Sequence, residues 1–66
     1  MSDKKKRVLE LMAAVVMNHG GGFRIVGERF FLFDSHTWDD CVVVNINGRR
    51  YVEICNFTEL YMGLGY

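Results

Sequence analysis

Between residues 23 and 54 the apolar side chains alternate so that a sheet built from them is apolar on both sides. Phe23-Arg24-Ile25-Val26 and Arg29-Phe30-Phe31-Leu32-Phe33 flank Gly27-Glu28, and glycine at the first central position is the signature of a type II′ hairpin turn. Residues 41–46 and 49–56 flank Asn47-Gly48, the strongest short hairpin signal, which favours type I′. Two-residue turns pair Phe23 with Leu32, Ile25 with Phe30, Cys41 with Ile54, Val43 with Val52 and Val44 with Tyr51. Side chains alternate across a strand. Phe23, Ile25, Phe30, Leu32, Val43, Val52 and Ile54 therefore share one face, and Val26, Phe31, Phe33, Val42, Val44, Ile46 and Tyr51 share the other. Two alternatives compete: a single long strand bulged at Gly27, and a type I turn with a glycine bulge over residues 45–48. The second would slip the pairing by one residue and exchange the faces.

Only one long helix is available to cover this sheet. Residues 2–17 contain no Gly or Pro, and Ser2 or Asp3 can cap the first amides. Val8, Leu11, Met12, Val15 and Val16 follow the spacing of one helical face, which Leu9, Ala13 and Met17 widen. Lys4, Lys5, Lys6 and Arg7 oppose the helix dipole, so the first turn is expected to fray. Asn18-His19-Gly20-Gly21-Gly22 stops the helix. Residues 34–40 form a polar loop. Thr58 is expected to cap a short terminal helical turn through Met62, with residues 63–66 loose.

The expected fold is α+β: an N-terminal helix packed on a four-stranded antiparallel sheet of two hairpins, arranged as a meander, with a short C-terminal helical turn. Residues 1–66 read as a single small domain. A chain this short buries only ~60% of the surface its unfolded form exposes. Half of its residues are nonetheless hydrophobic before seven glycines are counted, which excludes disorder and favours burial against a partner. Eight basic residues balance eight acidic ones, which counts against a dedicated duplex-binding domain. Two cysteines do not make a disulfide scaffold, and this fits a reducing, cytoplasmic compartment. The run from Leu11 to Met17 is far short of the ~20 residues that cross a bilayer, so no membrane association is expected.

No motif identifies a reaction, and the chain reads as a non-enzyme without cofactor or metal. His19-Gly20-Gly21-Gly22 matches the HGGG oxyanion element of esterases, but the nucleophile elbow that must accompany it is missing. His19, His36, Cys41 and Cys55 lack the short ligand spacings of structural zinc sites. His36 with Asp34, Asp39 and Asp40 brings a base near carboxylates, yet in a connecting loop these residues suit turns and a solvated rim. Trp38 either packs back on the core or docks into a partner, since Trp is enriched among binding hot spots.

A sheet side left bare by the helix needs a second copy of the chain, another protein or a stacked ligand. Arg24, Arg29, Phe31, Phe33, Arg49 and Tyr51 are expected on that side. Arginine interleaved with aromatics can bind single-stranded nucleic acid, rings stacking on bases and guanidinium groups meeting phosphates. Branched Val26, Val42, Val44 and Ile46 cannot stack bases but suit a protein interface, and Glu53 repels phosphate. The favoured expectation is a non-catalytic protein-binding module, self-associating as a homodimer, that occludes a site on a larger protein through Arg24, Arg29, Phe31, Phe33, Trp38, Val44, Tyr51 and Tyr61. In general character it is similar to the small single-domain inhibitors carried by phages and other mobile elements. The alternative is a single-strand nucleic-acid binder using the Arg/aromatic face.

Overall fold

The computed structural model describes residues 2–66. Helix α1 spans Asp3–His19, and the Ser2 side chain accepts a hydrogen bond from the Lys5 amide at 3.2 Å. It ends in a Schellman closure: Gly20, at φ 85°, donates to Met17 O and Gly21 donates to Val16 O. The four strands are β1 (Phe23–Val26), β2 (Arg29–Phe33), β3 (Val43–Ile46) and β4 (Arg49–Ile54), followed by helix α2 (Phe57–Leu64). This is the expected α+β architecture.

Both hairpins have the expected register, with Ile25 opposite Phe30, Val43 opposite Val52 and Val44 opposite Tyr51. The turns explain it. Gly27 has φ +62° and its neighbour Glu28 is not positive, as type II′ requires, whereas Asn47 (+53°) and Gly48 (+79°) are both left-handed, as type I′ requires.

The strand order is β1-β2-β4-β3, not that of a meander. β2 pairs with β4, setting Leu32 against Val52 and Phe33 against Tyr51, and β3 is pushed to the edge. This order suits Asn45. A meander would put β3 in the centre and Asn45 on the helix side of the sheet, where its side-chain NH2, which the local bond from Gly48 to Oδ1 does not satisfy, would lose water at a cost of ~1–3 kcal/mol. At the edge, Asn45 is exposed and its Oδ1 accepts from the Gly48 amide, while Val52 and Ile54 of β4 take the central positions.

Residues 34–42 carry the chain past β4 from β2 to β3. The segment bends through left-handed Asp34 and Asp40. It is pinned by three contacts: Asp34 N donates to Arg50 O, Arg50 Nη2 donates to Ser35 O, and His36 N donates to Gly63 O. Trp38 and Cys41 pack against the core from this segment.

Both helices lie on one side of the sheet. Leu9, Met12 and Val16 of α1 and Leu60 of α2 meet Phe30, Leu32, Val52 and Ile54 in a single core. The buried stripe of α1 is thus rotated from the expected one. Leu9 lies at its centre, Val8 and Val15 flank it, and Leu11 and Met17 are exposed.

Helix α2 also differs from expectation. Its cap is Asn56, not Thr58: Asn56 Oδ1 accepts from Glu59 N, and Glu59 Oε1 reaches back to accept from Cys55 N. This reciprocal capping starts the helix earlier than Thr58 would. Residues 63–66, expected to be loose, belong to this helix and its closure. Gly63 is buried inside α2, and Gly65 and Tyr66 close it with bonds to Met62 O and Tyr61 O.

Candidate functional site

The hairpin registers and the β2–β4 pairing together place Arg24, Arg29, Phe31, Phe33, Val44, Arg49, Tyr51 and Glu53 on the face that carries no helix. Six of the eight expected contact residues (Arg24, Arg29, Phe31, Phe33, Val44 and Tyr51) are thereby brought together.

The centre of this face is apolar but largely sealed by its own side chains. Phe31 is 6% exposed and Tyr51 7%, although both helices pack on the opposite side of the sheet. Phe33 and Tyr51, neighbours across the β2–β4 ladder, pack with ring centroids 5.4 Å apart. The Arg49 guanidinium lies 5.6 Å from the Phe33 ring centroid and that of Arg29 lies 5.8 Å from Phe31, both within cation–π range. Arg29 is further fixed by the Glu53 carboxylate. The alternation of the strands sets this shared face, whereas the self-covering depends on the β2–β4 pairing, since Glu53 sits two strands away from Arg29 in any meander. Arg24 remains exposed, and at the margins Val26 is 54% and Val42 50% exposed.

Trp38 and Tyr61 lie elsewhere. Trp38 is half-buried and packs against the core from the crossing loop. Tyr61 is exposed on α2, within a string of rings in which Phe57, Tyr61, Tyr66 and His19 follow one another at centroid distances of 6.5, 5.6 and 5.3 Å.

A cleft of about 380 Å³ opens where the helix ends meet β2, lined by His19, Gly20, Gly21, Gly22, Phe33, Asp34, His36 and Leu64 among others. It gathers His36 and Asp34 from the loop cluster together with His19 from the end of α1, and leaves Asp39 and Asp40 outside. Among the described residues no Ser, Thr or Cys side chain lines it, so none of them sets an attacking hydroxyl or thiol beside the imidazoles. Ser35, nearby, is buried and donates its hydroxyl to His36 O at 2.7 Å.

Cys41 and Cys55 are free thiols. Desolvation, with Glu59 and Glu53 adding to it, pushes the Cys55 thiol up, away from the reactive thiolate. Among the described residues no three His, Cys, Asp or Glu side chains converge closely enough to hold a metal ion. No helix among them is long and apolar enough to cross a membrane. Compared with protein-family models, curated proteins and solved structures, the chain matches none.

Proposed function

We propose that the protein is a non-catalytic, self-associating protein-binding module that acts by occlusion in the cytoplasm, laying its helix-free sheet face over a site on a larger protein. One observation carries this reading: the guanidinium groups of Arg29 and Arg49 lie over Phe31 and Phe33 on the sheet face opposite both helices. Aromatic and arginine side chains dominate binding hot spots. Here they are already held in place, so little side-chain freedom remains to be lost on docking. Exposed Arg24, Val26 and Val42 give the face a cationic and apolar rim. An acidic surface with apolar neighbours is its natural complement. This mode of action is that of the small inhibitors of phages and mobile elements, a likeness of general character alone.

The same geometry favours protein over single-stranded nucleic acid. Base stacking needs open ring faces, yet Phe31 and Tyr51 are buried, and Arg29 is neutralised by Glu53.

The test uses immobilised wild-type protein and the Arg24→Glu/Arg49→Glu variant against nuclease-treated extract of the native host. The expected result is one protein retained in fixed proportion by the wild type, and lost with the variant. The retained protein is then purified and the complex rebuilt from the two components. Retention unaffected by the charge reversal, or retention only from extract that has not been treated with nuclease, overturns the reading.

A further inference from the structure

We infer that the self-association in that reading, on which this step rests, takes place through the free edge of β3, pairing antiparallel with β3 of a second copy about an axis at Val44. The backbone decides which groups are available. Val42 O accepts from Glu53 N at 2.8 Å, and Val43 lies opposite Val52. Ladder bonds in an antiparallel pair alternate between inward and outward residues. Val42, Val44 and Ile46 therefore bond toward β4, and the N–H and C=O groups of Val43 and Asn45 point away from the sheet.

A second β3 satisfies these groups when Val43 exchanges bonds with the other copy's Asn45, and Asn45 with its Val43. This register fixes the side chains. Val44 meets its own counterpart on the axis, and Val42, half-exposed alone, lies beside the counterpart's Ile46. The apolar ladder so formed continues the helix-free face across the dimer. The ends match in charge: Asp39 and Asp40 precede the strand and Arg49 and Arg50 follow its turn, so antiparallel pairing brings the acidic end of one copy to the basic end of the other.

The opposite edge is protected against the same event. In β1, Gly22 O accepts from Phe33 N, so Phe23 and Ile25 present the outward groups. Self-pairing there places Arg24 on the axis against its own copy, and like charges directly opposite each other are destabilising. A charged residue on an edge strand is a common guard against pairing. The run from Cys41 to Ile46 has no charge and no proline. One edge is open and the other blocked, so the association closes as a two-fold dimer and does not extend into a filament.

The test measures mass by light scattering from micromolar to millimolar protein, then cross-links cysteine variants built on Cys41→Ser/Cys55→Ser. Val44→Cys is expected to form a disulfide-linked dimer under mild oxidation, because non-hydrogen-bonded partners lie ~4.5 Å apart at Cα, within disulfide range. Val26→Cys is expected to stay monomeric under the same conditions. Val44→Lys, with an unchanged circular dichroism spectrum, is expected to raise the dimerisation midpoint roughly tenfold or more. A dimer that cross-links through Val26→Cys as readily as through Val44→Cys overturns the β3 edge and leaves self-association standing. A monomer at every concentration overturns both.

Discussion

Arg29 and Glu53 form a two-pronged ion pair across the helix-free face, with Nε donating to Oε2 at 2.9 Å and Nη2 to Oε1 at 2.7 Å. The pair ties β2 to β4 and holds the guanidinium over Phe31. The Arg29 hydrogen bonds hold the Glu53 carboxyl below its ordinary value, against the opposing effect of desolvation. Hydrogen bonding to Glu53, with its charge, pushes Arg29 upward.

A folded-state value below the unfolded one has a definite sign in the stability profile. The contribution of the pair is present above the unfolded carboxylate range and is lost as pH falls through the folded value. Glu53→Gln is therefore expected to melt several degrees below wild type at neutral pH, with the gap closing as the solution is acidified below the usual carboxylate range. Thermal melts of both proteins across that range check it. A gap that stays constant with pH would show that Glu53 acts through packing alone.

Gly63 lies where α2 presses on the crossing loop. A Cβ there would come within 2.5 Å of Ser35 Oγ and 2.8 Å of Leu32 Cδ2. Helix propensity alone favours Gly63→Ala by up to ~1 kcal/mol. The contact reverses the sign, and the variant is expected to lose about 1–3 kcal/mol through overpacking. Urea unfolding with an unchanged slope checks this.

The second hairpin depends on a left-handed Asn47, at φ +53°. Asn47→Ala is expected to cost about 1–2 kcal/mol, because alanine pays the full steric penalty of that conformation. Asn47→Gly is expected to be close to neutral. The contrast between the two, measured by chemical denaturation, separates backbone strain from loss of the Asn side chain.

Trp38 is the one tryptophan of the chain and packs against the core from the loop between β2 and β3. Its fluorescence is expected to be blue-shifted in the folded protein and to move red on unfolding. Trp38→Ala is expected to destabilise by roughly 2 kcal/mol, less than a fully buried aromatic because the ring is only half-buried. A folded variant without loss of stability would return Trp38 to the contact surface.

The local features of this fold were legible in the chain. Gly27 and Asn47-Gly48 set two hairpin registers because only such residues take up the left-handed backbone of primed turns without strain. With the registers set, the strict alternation of strands divided the side chains between two faces, and most of the Arg/aromatic surface followed. The helix over residues 2–17 was equally plain, though its buried stripe was not. Leu9 and Leu11 are both compatible with a wide apolar band, and the angle at which α1 meets the sheet chose Leu9.

Which hairpin strand stands beside β2 was not written in any short stretch of sequence. Either β3 or β4 can pair with β2 by local rules, since each carries apolar side chains on both of its faces. The choice rests on long-range consequences: Asn45 left in solvent, Val52 and Ile54 beneath the helices, and Glu53 within reach of Arg29. Tertiary structure alone thus decided that the helix-free face is sealed at its centre by cation–aromatic contacts and open along β3. Contacts between distant residues carry this information, and they exist only once the chain has closed on itself.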